Sequence, residues 1–497
     1  MTGLILGQNY TMERFNLGVH GSHNAAIALS LGGKVLEVVE LERWTGIKNA
    51  AFFFYFPIEE PKKFIDEILD YFEEKYGAKD YDWLMYNSLP PEALDWFRAT
   101  NNMHIPHHLA HATNALYQQD SQKAMIVSFD GGSDDGHFNI YNAEKGKVPE
   151  KVFNSDFDLC VPYAAMGHYI SEIKKEEDWW KGNLVYAGKV MGYAGYGKRN
   201  EEMLERSIKL FNSCTTNEVD KAHTKWGEIW CMCNHKEQVS KDLAWATQYA
   251  FELKFAELAL PFVLDHKQDD QALIFSGGGA MNIINNTHYK AFVSPNSDDR
   301  GIALGCLLHL LMSDIDSTYL GSEPYDKMPL SKAHSTNKVA KMLKDGKIIG
   351  LIQGRSEHGA RALGNRSILC LPTEGMKEKL NKEVKKREEY RPFAAVCREE
   401  DAPKYFRSYG MHTYMTHNAV VKDKDLQAVT HIDGTCRLQT VTEEQNPFLY
   451  ELLGHVPVLL NTSFNIQGKP ILNTYKEALW MKENSGIDEV ITDKYIL

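Results

Sequence analysis

Two stretches constrain the fold of this 497-residue chain more than any others: "KAMIVSFDGGSDDG" from Lys123 and "ALIFSGGGAMN" from Ala272. Each is a short apolar run that stops at a glycine-rich turn. Such a run reads as a buried strand, and the glycines that follow let backbone approach whatever sits at the strand's end. Strands of this design, alternating with helices, specify an α/β fold whose ligands gather at strand ends. At the amino end "LILG", "NAAIALSL" and "KVLEVVELER" read as strands, the last two joined as a hairpin through Gly32 and Gly33. Residues 150–265 read as mostly helical. Turn formers accumulate in "STYLGSEPYDKMPLSKAHSTN", and a fresh α/β pattern opens with "VAKMLKDGKIIGLIQGR". One core rarely serves so long a chain, so two domains are expected, 1–328 and 335–497.

Composition narrows the function classes. Fifty-five Lys and Arg against sixty-seven Asp and Glu give −12, which offers nucleic acid no global basic field. The 43% hydrophobic and 25% charged fractions are those of an ordinary globular protein. No apolar run reaches bilayer length and no secretory leader is seen, so no membrane partner and a cytoplasmic location are expected. Eight cysteines without a disulfide rhythm agree with a reducing compartment. Oligomeric state is open, a homodimer included.

In "NMHIPHHLAHATNAL" Pro106 suits the first turn of a helix, which puts His107 and His111 one turn apart on one face. That is chelating geometry. Asp130, closing "MIVSFD", and Asp299, in "SPNSDDRG", are the candidate carboxylates, and such a donor set accepts Fe(II), Mn(II) or Zn(II). His104 and His108 fall off that face and are expected at a cap or the surface. Farther on, Arg355, Arg361 and Arg366 form one basic block and Lys385, Arg387 and Arg391 another, followed by Pro392 and Phe393. Fixed cations in this number suit adjacent polyanions, although "KEKLNKEVKKREE" alone also fits an exposed basic helix. Ser463 and Asn465 add a hydroxyl and an amide after the buried run "HVPVLLN". Gly277, Gly278 and Gly279, with Asn282 behind them, permit close approach to a phosphate or ribose, or make a tight turn. Lys189, in "GKVMGYAGYG", is a further candidate nucleotide contact. Cys214, Cys231, Cys233 and His235 lack the paired Cys-x-x-Cys knuckle of structural zinc, so zinc there stays undecided. Trp179 and Trp180 could stack on bases or pack.

Taken in order, His107, His111, Asp130, "GKVMGYAGYG", "SGGGAMN", "SDDRGIALG", "GRSEHGARALGNRSIL", "VKKREEYRPFAA" and "PVLLNTSFNIQGKPI" resemble the O-carbamoyltransferases that act on nodulation factors, tobramycin and cephalosporins. The resemblance implies an actin-like (ASKHA, duplicated RNase H-like) domain, similar to the tRNA threonylcarbamoyl-transfer protein, followed by a YrdC-like α/β domain. It implies that ATP, with Mg, and carbamoyl phosphate yield a carbamoyl adenylate in the second domain. Lys385 and Arg387 match a Lys-x-Arg pair, and Ser463 and Asn465 a Ser-x-Asn pair, that line the nucleotide pocket of related adenylating folds. A metal at His107, His111, Asp130 and Asp299, iron by resemblance, then serves transfer to an acceptor hydroxyl. "VHGSHNAAIAL" resembles the family's early histidine element and places His23 as the base that deprotonates the acceptor, with Asn24 where Asp is usual. Acceptors left open are a sugar or natural-product hydroxyl and the hydroxymethyl group of hydroxymethylcytosine in DNA. Two alternatives stand beside this reading: threonylcarbamoyl transfer to tRNA, and a non-catalytic nucleotide- or metal-binding protein. Hydrogenase-maturation carbamoyltransferases reuse both modules in the opposite order, with acylphosphatase and zinc-finger segments not seen here.

Overall fold

The structure, a computed structural model, describes residues 14–54, 57–174, 179–213, 237–408 and 412–497. Among them the strands form three sheets. The first holds β1 (Phe15–His20), β2 (Ala26–Leu31), β3 (Lys34–Glu40), β4 (Tyr81–Asn87) and β5 (Ala99–His104) in the order β3-β2-β1-β4-β5. The second holds β6 (Lys123–Phe129), β7 (Phe138–Glu144), β8 (Glu150–Ser155), β9 (Ala272–Ser276) and β10 (Phe292–Val293) in the order β10-β9-β6-β7-β8. Read from the other edge, that is the same plan. In both sheets the first three strands are antiparallel and the last two run parallel to the first. The unit is therefore duplicated, and the mixed α/β class expected from sequence is present.

After the last strand of each repeat comes a helix, His107–Leu116 in one and Ile302–Leu311 in the other. These two helices cross against each other between the sheets. Glycine sets the spacing: a Cβ at Gly305 would lie 2.1 Å from the Ala110 carbonyl oxygen, and one at Gly18 in β1 would lie 2.1 Å from that of Ala303. Gly305→Val should therefore force the helices apart and lower stability by about 3 kcal/mol, read as a shifted urea midpoint. An unchanged midpoint would contradict this packing.

The sequence reading placed the first strand at "LILG", which lies outside the described residues; the structure has β1 at Phe15–His20. Gly18 breaks its apolar alternation and hides it, yet the glycine is what admits the helix. The long helix Glu237–His266 covers the second sheet, its buried Phe251 and Phe255 packing on Phe129.

The remaining strands make one mixed sheet: β11 (Lys332–Ala333), β12 (Ile349–Ile352), β13 (Arg366–Cys370), β14 (Ala394–Arg398), β15 (Phe406–Arg407), β16 (Asn418–Val421), β17 (Thr435–Val441), β18 (Val458–Ser463), β19 (Glu489–Ile491) and β20 (Tyr495–Ile496). Their order is β11-β20-β19-β12-β13-β18-β14-β17-β16-β15. Among the described residues no helix is long and apolar enough to cross a membrane. His412, beside this sheet, is buried. Burial, reinforced by neighbouring His417, depresses its pKa from 6.5 to about 4. The unfolded chain takes up a proton there below about pH 6.5 that the folded chain refuses. Stability should fall by up to about 1.4 kcal/mol per pH unit from this group between pH 6.5 and 4. His412→Gln should flatten the pH dependence of the urea midpoint over that window; an unaltered slope would refute the assignment.

Candidate active site

Equivalent points of the two repeats converge on one spot. Strand β1 ends in His20 and leads into the turn that carries His23; β6 ends at Phe129 and hands over to Asp130. The helix after β5 carries His107 and His111, and the turn before the helix after β10 carries Asp299. One ligand atom each from His107, His111, Asp130 and Asp299 lies within 4.8 Å of the others. The two Nε2 atoms are 3.1 Å apart. His111 Nε2 is 3.4 Å from Asp130 Oδ2 and 3.5 Å from Asp299 Oδ1, while His107 Nε2 is 3.9 and 3.7 Å from the same oxygens.

These are spacings that donors adopt when each sits about 2.1 Å from a shared ion. Two imidazoles and two carboxylates aimed at one buried point fit a divalent cation. Burial opposes charge on both partners, yet the pairing wins: Asp130 is held well below the usual carboxylate range by His107 and His111, and His111 is pushed up to about 9 by Asp130 and Asp299.

The surrounding turns hold these groups in place. Asp130 Oδ1 accepts from Gly131 N at 2.6 Å, and Oδ2 accepts from Gly278 N. Asp134 and Asp135, from the acidic "GGSDDG" loop, accept from the backbone N–H of His107 and His108 at 3.0 Å, a carboxylate cap on the positive end of the helix. The helix begins at His107, with Pro106 at the cap position. His108, expected at a cap or the surface, is fully buried: its ring meets Ser128 Oγ at 2.7 Å and the Gly136 carbonyl at 3.0 Å. It ties the acidic loop to β6. His104 is half-exposed and pairs with Asp134 at 3.0 Å.

His23 Nε2 lies 3.2 Å from Asp299 Oδ2, and its Nδ1 lies 3.3 Å from Asn24 Nδ2. The carboxylate that Asn24 cannot supply to His23 is thus supplied by Asp299, whose other oxygen faces His107 and His111. Asp299 in turn is held well below the usual carboxylate range, because His23, His107 and His111 outweigh burial and Asp130.

A cavity of about 760 Å³ opens over this cluster and reaches the third sheet. His23, Asp130 and Asp299 line one end; Arg361, Lys385, Arg387, Arg391, Ser463 and Asn465 line the other. Lys385 Nζ donates to Ser463 O at 2.7 Å, Asn465 O at 2.8 Å and Asn465 Oδ1 at 2.6 Å, so the two sequence pairs meet. Arg387 donates to Asn381 Oδ1 at 2.8 Å and stacks over Phe393 at 4.4 Å. Arg437, which no local pattern singled out, also lines the cavity from mid-strand in β17. Burial, then mutual repulsion, pulls Lys385, Arg387 and Arg437 well below their ordinary pKa values. Crowded, desolvated cations of this kind favour a bound polyanion.

Several sequence expectations are corrected. Arg355 and Arg366 do not reach the cavity. Arg355 donates to the carbonyls of Gly321 and Leu320, and the fully buried Arg366 donates to those of Gln353, Asn365, Ser322 and Gly354 and to Asn473 Oδ1. Both guanidiniums clamp the connecting segment onto the third sheet. Gly277 sits behind the wall with φ 90°, where a Cβ would lie 2.3 Å from Phe129 O. Gly278 and Gly279 do line the cavity, but the Gly278 N–H is committed to Asp130. Asn282 also lines the cavity, while its side chain caps the next helix through Asn285 N and meets Gln248. Lys189 lines the cavity and pairs with Glu388 at 3.0 Å, both buried, joining the two halves of the chain. The candidate zinc grouping at Cys214, Cys231, Cys233 and His235, and the side chains of Trp179 and Trp180, lie outside the described residues.

Residues 58–308 match the family described as carbamoyltransferase N-terminus, and residues 340–497 match carbamoyltransferase C-terminus. An uncharacterized protein of Methanocaldococcus jannaschii is 26% identical over 97% of this chain and 99% of its own. Nodulation protein NolNO of Sinorhizobium fredii is 29% identical over 79% of this chain and 63% of its own length. The 3'-hydroxymethylcephem-O-carbamoyltransferase of Amycolatopsis lactamdurans is 34% identical over 49% and 51%. The crystal structure of T. kodakarensis HypF overlays 61% of the chain and 48% of its own with a TM-score of 0.36 and 12% identity. With matches to both its halves, the amino-terminal one covering half of its length, the chain belongs to the carbamoyltransferase enzymes.

Proposed function

We propose that the protein transfers the carbamoyl group of carbamoyl phosphate, through a carbamoyl adenylate made from ATP, to the hydroxyl of a small acceptor such as a sugar or natural product. The observation that carries this reading is the shared cavity, with a cluster of desolvated cations at one end and the His23–Asp299 pair beside the converging His107, His111 and Asp130 at the other. At the cationic end Arg361, Arg387, Arg391 and Arg437 bind the phosphates, and Lys385 with Ser463 and Asn465 orients the reacting oxygens. Water cleaves carbamoyl phosphate to carbamate and phosphate; a carbamate oxygen attacks the α-phosphorus of ATP, and pyrophosphate leaves. At the other end the acceptor oxygen attacks the carbamoyl carbon, His23 takes its proton, and AMP departs.

A divalent ion at His107, His111, Asp130 and Asp299, such as Fe(II), Mn(II) or Zn(II), would supply Lewis acidity there. The acceptor class follows the activity of the cephem relative, an O-carbamoyltransferase of a hydroxymethyl group on a small molecule. A net charge of −12 sets a small hydroxyl compound ahead of hydroxymethylcytosine in DNA.

The two ends make separable demands. His23→Asn should leave pyrophosphate release from ATP and carbamoyl phosphate intact while slowing transfer by about 100- to 10,000-fold. Equal loss of both steps would contradict the division of labour.

A further inference from the structure

One polar side chain beside the quartet has no role in the account above. His20 is 1% exposed, and neither ring nitrogen has a hydrogen-bond partner among the described residues. Buried imidazoles are ordinarily hydrogen-bonded, so an unsatisfied one needs an explanation, which an ion beside it would supply. Its direction follows from the strand. Side chains two apart in β1 share a face. Gly18 faces Ala303 and Leu307 of the helix Ile302–Leu311, so His20 faces the turn just before that helix, where Asp299 stands. Its Nε2 lies 3.8 Å from Asp299 Oδ2, the oxygen that does not face His107 and His111. On the far side, the His20 and His107 ring centres are 6.4 Å apart at an interplanar angle of 68°. That separation is within the reach of two imidazoles on a common ion, each about 2.1 Å from it.

We propose that His20 is a fifth protein ligand of the ion held by His107, His111, Asp130 and Asp299. The proposal rests on the reading of that quartet as a metal centre. With three imidazoles and two carboxylates the protein would supply most of the ion's donors and leave little of it open to substrate. His20 lies outside the set whose donor atoms all fall within 4.8 Å of one another, so ligation requires its ring to move toward the ion.

The test uses the full chain loaded with Mn(II) alone and labelled with 15N-histidine, with pulsed electron paramagnetic resonance counting the directly bound histidine nitrogens. Three in the wild type support the proposal; two overturn it while leaving the four-residue metal centre standing. Failure of the wild type to bind Mn(II), Fe(II) or Zn(II) removes both. A wild-type count of two is decisive regardless of how any variant folds; a count of three is assigned between His20 and the neighbouring His23 by the variant. His20→Phe should reduce the count to two and weaken Mn(II) binding at least about tenfold, and an unchanged count in a folded variant would also overturn the assignment.

Discussion

Lys385→Met is expected to reduce pyrophosphate release from ATP and carbamoyl phosphate about a thousandfold, and overall turnover with it. The ammonium is buried and wired to the end of β18 through Ser463 O, Asn465 O and Asn465 Oδ1. That end of the cavity is where anionic oxygens are to be positioned and stabilised, and a fixed, preorganised positive charge beside developing negative charge is worth about 100- to 1,000-fold. The Nζ contacts also aim the Ser463 hydroxyl at Asn465, so losing them disorders two further groups. Arginine should not rescue the activity, because a planar fork cannot make a compact set of donations to converging oxygens. Pyrophosphate release within tenfold of wild type would remove Lys385 from the donor step.

Asp299→Asn should have an effect of similar size at the opposite end. The substitution keeps shape but deletes a charge that faces His111 and His107 through one oxygen and His23 through the other. Metal affinity should drop at least about tenfold. Transfer should fall about a thousandfold or more, since the ion's hold and the partner of the base are lost together. Donor activation, measured as pyrophosphate release, should survive. Titration of the apo-protein with Mn(II) beside single-turnover transfer separates the two losses. Wild-type metal affinity in the variant would show that Asp299 is not a ligand.

The features read correctly from sequence are those with a local signature. The spacing of His107 and His111 on one helix face, and Asp130 at a strand end, are set by short-range geometry, and the quartet they form with Asp299 is brought together as expected. The strand–glycine elements likewise marked the two places where sheets meet the cavity. What escaped notice depends on long-range packing. Residue type in the block from Arg355 to Arg366 says nothing of direction, and two of its three arginines turn to backbone carbonyls of the connecting segment instead of the cavity. Arg437 sits alone in "TCRLQTV", and only the sheet order that places β17 beside β14 carries it to the site. His108 looked peripheral on a helical wheel, but a second sheet covers that side of the helix. The duplication shows in strand order and direction, which two unlike sequences share without matching residues.

The account's central claim is that an activated carbamoyl group is formed at the cation-lined end and consumed at the histidine-and-aspartate end. Its most direct measurement is to incubate the metal-loaded full chain with ATP and radiolabelled carbamoyl phosphate, without acceptor, and to resolve nucleotide products by chromatography. Labelled carbamoyl adenylate appearing together with pyrophosphate is the predicted result. ATP left intact, or carbamoyl transfer to an acceptor hydroxyl proceeding without any nucleotide, would contradict it.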